Sequence, residues 1–550
     1  MEAGDPMIRL IHILPVLVPL SAALWIGVRS RSGERSIARI AGTTTVVSWL
    51  TFLGIVFMRG AGFLSREISL GSLYRSGSYS FDLSFTLDTK AQVLLGLSVF
   101  LVWIMVRFSQ VYLHREEGFG RFFRTLFLAQ SGIALLATAG NLDLLFVGWE
   151  WIGISSFLLI GFYRERVNPV WNAFRVYVIY RICDVGILLG AFLEHHGQEG
   201  VLQHPLGPWL LGLAVLLPAA GKSAQFPFSF WLPRALEGPT PSSAVFYGAL
   251  SIHAGVFLLL RTSSHWMPFS GVRVAIFCVG LISLVVGTLI GRAQANIKGQ
   301  IGYAAIAQVG VMFMEVALGL ENLVLWHMVS HAILRTFQFL TSPSAVAHFI
   351  RFPVPDQKSS LFGWLNHAWI RRLSIGEFFL EEWFHRYLIH PLRILGRYAW
   401  IVFGMGVFGL LLHFEHAYQI MALALSWLGF SSRSSRWTFA WTLLSVVCIV
   451  IGGGTHADEM GPVLGLCLSG VIPGLLLWSS ARPTLRFYGW LCLIGFPLTP
   501  FFIGEDLLLH EVSRGGLPGM LMFFVVFALN GIQFARCFVE DVWLPKTRGY

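Results

Sequence analysis

Charge is the scarcest commodity in this sequence. Only 12% of its 550 residues are Asp, Glu, Lys or Arg, against 55% hydrophobic residues; ordinary soluble domains carry about 25% charged residues. That deficit excludes a multidomain soluble enzyme. Cysteine is sparse as well: Cys183, Cys278, Cys448, Cys467, Cys492 and Cys537 form no C-x-x-C pair and all fall in or near apolar runs. Neither a disulfide framework nor a cysteine metal cluster is expected. A phosphate-binding loop is also missing. "GKS" at 221–223 imitates its end, but G-x-x-x-x-G-K-[ST] demands glycine at 216, where Leu216 stands. No cleavable leader is legible either; "MIRLIHILPVLVPLSAALWIGV" reads as a first spanning helix with no obvious cleavage site after it.

What the chain has in abundance is apolar runs of spanning length. They lie at about 8–28, 37–58, 90–113, 121–139, 141–163, 170–193, 207–235, 240–261, 272–292, 298–318 and 320–341, and resume at about 399–414, 417–430, 437–453, 461–480, 485–509 and 516–538. A bilayer core takes about 20 apolar residues per helix, and lipid tolerates only structures that satisfy their own backbone. The expected fold is therefore all-α, a polytopic membrane protein with about 14–17 transmembrane helices. The net charge of +10 fits basic cytoplasmic loops, and no nucleic-acid partner is expected. "RSRSGERSIAR" (29–39), "RFSQVYLHREEGFGRFFR" (107–124), "YRERVNPVWNAFR" (163–175) and "GRAQANIKGQ" (291–300) are those loops. They predict an external N-terminus and a cytoplasmic C-terminus, with 260–273 a basic exception outside. Residues 342–397 differ: charged, aromatic and apolar residues alternate there at helical spacing, as in a segment lying on the cytoplasmic membrane face or docking a soluble partner.

A few ionisable residues interrupt the apolar runs, and such residues are functional candidates because lipid penalises them. Glu150 stands inside "LLFVGWEWIGISSFLLIGFY", and Lys222 ends the run before "SAQFPFSFWLPR". Opposite charges at such depth can couple, so that an ion arriving at one changes the affinity of the next. A salt bridge that merely ties two helices is the structural alternative. Pro227 and Pro233 break the chain beyond Lys222, and broken helices are tolerated where they line a polar cavity. Arg181 and Asp184 sit three apart on one helical face and could simply neutralise each other; Asp184 could also exchange Arg181 for Lys222. His327, His331 and Arg335 form an i, i+4, i+8 stripe. Two histidines at that spacing could hold a metal, but the motif offers no third ligand, and a proton relay suits them better. Arg335 is cast as a fixed charge. A second break, at Pro497 and Pro500, precedes Glu505 and Asp506, so its charge follows its prolines where Lys222 precedes them, as in an inverted repeat.

"EEGFGRFF", "GNLDLLFVGWEWIGISSFLLIGFY", "RICDVG", "GKSAQFPFSFWLPRALEGPTPSSA", "HAGVFLLLR" and "HMVSHAILRTFQFL" together resemble the antiporter-like, proton-translocating subunits of complex I and Mrp antiporters, over about 82–341 and again near 485–540. The resemblance implies two antiporter-like inverted repeats. Glu150 and Lys222 would be the coupled pair of the first half-channel, flanked by Arg181 and Asp184, with His327, His331 and Arg335 in the second half. His253, further along the helix that carries Tyr247, is another ion-translocation candidate. Departures accompany the resemblance. Tyr247 stands where such subunits usually carry histidine, Arg335 where they often carry lysine, and 342–484 is foreign to the complex I pattern. The chain also ends at "VEDVWLPKTRGY", short of the long lateral helix of the distal complex I subunit.

"SSAVFYGALSIHAGVFLLLR" and "GFPLTPFFIGEDLLL" are more similar to the membrane subunit of DAB-type inorganic carbon accumulation complexes. That resemblance implies a cytoplasmic DabA-like partner carrying zinc in a carbonic-anhydrase-like site, docked on the cytoplasmic face including 342–397. It implies no cofactor or metal in this chain, and no catalysis by it. The expected function is cation translocation, H⁺ before Na⁺, in a bacterial inner membrane, energising CO₂/bicarbonate accumulation. Two alternatives stand beside it: an antiporter subunit of a complex I-like or Mrp-like assembly, and a non-conducting anchor for a soluble enzyme. The expected division is 1–120 N-terminal helices, 121–261 first repeat, 272–341 start of the second, 342–397 amphipathic segment, 398–484 inserted helices, and 485–550 the end of the second repeat.

Overall fold

The structure is a computed structural model describing residues 6–29, 33–76, 79–196, 207–342, 367–411, 416–432, 434–454, 460–480, 482–497, 499–513 and 517–544. The apolar runs become helices in order: α1 (Pro6–Val28), α2 (Glu34–Gly60), α3 (Thr89–Tyr112), α4 (Phe119–Thr138), α5 (Leu142–Ile160), α6 (Val167–His196) and α7 (Gly207–Lys222). The short α8 (Trp231–Arg234) follows, then α9 (Thr240–Phe246), α10 (Leu250–Arg261), α11 (Ser263–Trp266), α12 (Ser270–Ala293), α13 (Ile297–Ala317) and α14 (Glu321–Thr341). Beyond them come α15 (Ala368–Ile375), α16 (Leu380–Phe384), α17 (His390–Arg397), α18 (Ala399–Leu411), α19 (Ala417–Ser431), α20 (Ser435–Gly454), α21 (Met460–Trp478), α22 (Pro483–Leu493), α23 (Pro500–Ser513) and α24 (Leu517–Phe538). Among the described residues, nine helical spans are long and apolar enough to cross a membrane, and five shorter apolar helices accompany them. The chain is a multi-pass, mostly helical membrane protein.

Two compact units emerge. The first comprises 1–73, 81–163 and 186–380; the second comprises 74–80, 164–185 and 381–550. In the first unit, polar contacts sort the helix ends onto two faces. On one, Arg261 pairs with Asp88 at 2.8 Å and Lys90 with Glu321 at 2.8 Å. On the other, His114 meets Glu34 at 2.9 Å, Lys298 donates to Thr240 at 2.9 Å and Arg234 pairs with Glu377 at 2.7 Å. This is the alternation that successive crossings require.

Three features depart from the simple run pattern. A hairpin of β1 (Glu67–Ser76) and β2 (Tyr79–Thr86) fills the connection before α3, where no element was expected. Its alternating "EISLGSLYRS" and "YSFDLSFT" carry a strand period too short to register among helical runs. The 207–235 run stops at Lys222 and resumes only as one turn, which is the first broken helix. The 240–261 run is also interrupted, at Tyr247–Ala249, although it contains no internal proline there; Ala249 has φ −137° and ψ −80°. Of the amphipathic segment, 343–366, with Arg351 and Lys358, lies outside the described residues. The remainder is short helical pieces with Trp369, Trp383 and Tyr387 more than half exposed.

Close helix crossings in the first unit depend on glycine. A Cβ on Gly310 would sit 2.5 Å from the carbonyl oxygen of Gly280 and 3.0 Å from the Leu284 nitrogen, so α12 and α13 meet backbone to backbone. Small residues at such crossings allow the dispersion contact that drives helix association in lipid. Gly310→Leu should force the pair apart and cost about 1–3 kcal/mol or more. Thermal unfolding in detergent checks this against Gly54→Leu, where nothing lies within 4 Å of the added Cβ. Comparable losses in both variants would refute the crossing argument.

Candidate functional site: a buried polar line

In the first unit, α7 ends where Lys222 points into the interior. Lys222 is 1% exposed and Glu150, on α5, is 5% exposed. The Lys222 ammonium donates to the Trp149 carbonyl at 3.3 Å and lies 4.8 Å from the centre of the Trp149 ring. The structure thus sets the lysine against the residue immediately preceding Glu150. An ammonium over an indole face gains cation–π stabilisation where water is scarce.

The break beyond Lys222 is lined with polar partners. The indole of Trp231 donates to the Gly221 carbonyl at 2.9 Å, and the Phe226 amide donates to Ser283 Oγ at 2.9 Å. Ser223 Oγ donates to the Ile252 carbonyl at 2.6 Å, and the Gln225 amide nitrogen donates to Ser223 and Ile306 carbonyls at 3.0 and 3.3 Å. Backbone freed by a break at membrane depth is tolerated when such partners satisfy it. Pro227 lies in the break and Pro233 inside the short α8. Tyr247, at the interruption between α9 and α10, packs edge-on against Trp231 with centroids 5.8 Å apart and has its hydroxyl 3.4 Å from Ser156 Oγ on α5.

The histidines converge across two helices. His253 Nε2 on α10 lies 3.0 Å from His331 Nδ1 on α14. Arg335 Nε donates to His331 Nε2 at 3.3 Å, its two terminal nitrogens donating to Gln338 Oε1 at 2.7 Å and to the Ala304 carbonyl at 3.1 Å. His327, one turn before His331, stands with ring centroids 6.3 Å away. Its Nδ1 is 3.0 Å from Glu315 Oε1 on α13 and its Nε2 is 3.0 Å from Gln308 Oε1. His253 and His331 are 0% and 4% exposed. The line is thus two hydrogen-bonded pairs, Glu315–His327 and His331–His253, with the His327 and His331 rings 6.3 Å apart between them and Arg335 as a fixed cation at its side. Among the described residues, no group of three or more His, Cys, Asp or Glu is placed to hold a metal ion.

Arg335 uses three separate donors on three different acceptors, which a single ammonium cannot reproduce. Arg335→Lys should keep the charge, lose about 1–3 kcal/mol of stability through the abandoned acceptors, and slow transport. Unfolding and flux measured side by side check this; an unchanged protein would show that charge alone suffices at that position.

The second unit holds its own buried groups. Arg181 on α6 donates to the Ile494 carbonyl at 2.7 Å, in the break after α22, and its guanidinium lies 4.4 Å over Phe527. A side chain at Gly531 would strike Arg181 Nε. Asp184 is 3% exposed on the same helix. Pro497 lies between α22 and α23, Pro500 begins α23, and Glu505 and Asp506 follow on it, Asp506 accepting from the Tyr74 hydroxyl. The sequence reading overlooked Glu315, Gln308 and Gln338. Glu315 was discoverable: "MFMEVAL" puts a carboxylate in an apolar run just as "VGWEWIG" does. Asn530 also escaped notice; it accepts from Ser426 at 2.6 Å in the second unit.

Residues 139–351 match the family model of the NADH:quinone oxidoreductase/Mrp antiporter transmembrane region. NADH-ubiquinone oxidoreductase chain 5 of the seal Halichoerus grypus is 33% identical over 279 residues, a match covering 48% of this chain and 44% of that protein. Its counterpart in Sus scrofa is 34% identical over 270 residues, covering 48% and 45%. The matched stretch thus spans less than half the length of these curated relatives. Among solved structures, a chain of the Mrp complex from Dietzia sp. aligns with a TM-score of 0.51 at 16% identity, covering 95% of this chain and 55% of that one. A chain of the membrane-bound sulfane sulfur reductase, an archaeal respiratory membrane complex, aligns with a TM-score of 0.50 at 14% identity, covering 98% and 91%. At such identities these likenesses carry the fold alone. The chain is a multi-pass membrane protein of antiporter-like fold, and its residues 139–351 are similar in sequence to the transmembrane region shared by NADH:quinone oxidoreductase and Mrp antiporters.

Proposed function

We propose that this chain is a cation-translocating membrane subunit of a heteromeric assembly and that the ion is the proton. The observation that carries the reading is the Glu315–His327–His331–His253 line. Four titratable groups stand in series within an apolar helix bundle that penalises each of them. Structural ion pairs need no such series, whereas stepwise proton transfer does. Lys222, on the end of a broken helix beside Glu150, supplies a charge whose field acts on a group that gains or loses a proton.

The finer reading is energisation of inorganic carbon accumulation in a bacterial inner membrane, with an external N-terminus, a cytoplasmic C-terminus and a cytoplasmic DabA-like zinc partner docked on a face that includes 342–397. Its support is the motif resemblance of "SSAVFYGALSIHAGVFLLLR" and "GFPLTPFFIGEDLLL". The exposed aromatic residues Trp369, Trp383 and Tyr387, with Arg371 and Arg372 in the same stretch of sequence, are compatible with it. On this reading the chain itself performs no catalysis and the hydration of CO₂ belongs to the partner. Purifying the tagged chain in mild detergent, identifying what travels with it and assaying zinc tests the reading. One large soluble zinc protein is the expected companion. A set of antiporter-like or redox subunits would overturn the carbon-uptake reading in favour of a complex I-like or Mrp-like assembly.

A further inference from the structure

The buried line has an end, and Glu315 marks it. Glu315 lies two residues from the C-terminus of α13, and His327 is six residues into α14. At about 1.5 Å per residue, His327 sits roughly 9 Å inside that helix end, His331 about 15 Å and Arg335 about 21 Å. The outer pair is also the more open one: the side chains of Glu315 and His327 are 13% and 19% exposed, while His331 and His253 are 4% and 0%. The Lys90–Glu321 ion pair marks that same face of the unit.

The chemistry of the pair differs from that of the inner histidines. Both Glu315 oxygens approach His327 Nδ1, at 3.0 and 3.1 Å, while Nε2 faces Gln308 Oε1. His327 thus has an oxygen acceptor facing each ring nitrogen, one of them on a carboxylate. Inward of it, His331 faces His253 and a guanidinium that cannot give up its proton. Within the line, only the outer pair contains a carboxylate that neutralises an incoming cation.

From this geometry we propose that Glu315 and His327 are the access point of the histidine line on the Glu321 face, with Glu315 exchanging protons with the surroundings and His327 passing them to His331. No oxidant or co-reactant is involved; one proton moves from oxygen to nitrogen and onward, and the carboxylate is re-protonated from the aqueous side. The proposal rests on the translocation reading above and assigns one further residue to it.

The test compares Glu315→Gln with Glu315→Asp in the intact complex, reconstituted in proteoliposomes, following a pH-sensitive dye. Glutamine keeps the length and hydrogen bonding of glutamate but cannot titrate; aspartate titrates but is shorter. A structural tie would make Gln the milder change, whereas a proton carrier makes Asp the milder one. We expect Glu315→Gln to slow flux about tenfold or more and Glu315→Asp to keep most of it. His327→Gln should be as slow as Glu315→Gln, and the double variant no slower than either, because the two act in one step; if Glu315→Gln does not assemble, His327→Gln decides alone. Lys222→Ala is the reference. If Lys222→Ala passes no ions while Glu315→Gln and His327→Gln run at the unmodified rate, the access point is wrong and the translocation reading survives. If Lys222→Ala itself conducts normally, both fall.

Discussion

Lys222→Ala should all but abolish ion flux while the complex still assembles. The substitution removes an ammonium that donates to the Trp149 carbonyl and lies over the Trp149 indole, next to Glu150. On the proposed reading, what is lost is the cation that couples this position to its neighbours as ions pass. Positioned groups that take part in proton transfer typically contribute about 10²- to 10⁴-fold in rate, so flux should fall by on the order of 100-fold or more. Assembly should persist, because α7 also packs against α10 through Gly255, whose Cβ would press on the Ala219 carbonyl and Ser223. Comparing complex yield on size exclusion with flux in proteoliposomes separates the two effects. Loss of both together would make Lys222 a structural tie, and retention of both would remove it from the pathway.

The second large effect falls on His331, the junction of the line. It touches His253 Nε2 through one ring nitrogen and Arg335 Nε through the other. His331→Leu strands both neighbours in an apolar interior, where each unpaired polar group costs about 1–3 kcal/mol. Transport should drop by on the order of 100-fold and unfolding should shift to lower temperature. His331→Gln divides the result: the amide restores part of the hydrogen bonding, so stability should recover while flux stays low. Recovered flux with Gln would mean that position 331 needs a hydrogen-bonding side chain rather than a titratable one.

Much of this architecture was readable because lipid imposes a simple rule: long apolar runs become helices. The runs at 90–113 and 272–292 appear as Thr89–Tyr112 and Ser270–Ala293. Proline located the two breaks, at Lys222 and before Glu505, because it removes a backbone donor wherever it falls. The interruption at Tyr247–Ala249 left no such mark. It depends on neighbours instead: a Cβ on Gly248 would lie 2.6 Å from the Ala244 carbonyl oxygen and 2.9 Å from the Phe339 ring. The hairpin at 67–86 escaped for a different reason, since its period-two pattern is short and sits in a connection between helices.

The site was legible to the extent that its members were rare. A lone lysine or carboxylate in an apolar run announces itself, and the i, i+4 histidines share a helical face by geometry alone. Pairings across helices could not be read in this way. That His331 meets His253, 78 positions away, and that His327 meets Glu315 on the preceding helix, follows from how α10, α13 and α14 pack. Gln308 and Gln338 were invisible because uncharged amides are common in helices, and only their partners distinguish these two.

The central claim is that ions move through this chain. Its most direct test is flux measured in proteoliposomes holding the purified complex, under an imposed pH gradient, with sodium present or absent. The account predicts dissipation of the gradient by the unmodified complex, independent of sodium, and none with Lys222→Ala. A complex whose soluble partner is active and whose membrane chain passes no ions under any gradient would contradict it, and would make this chain an anchor.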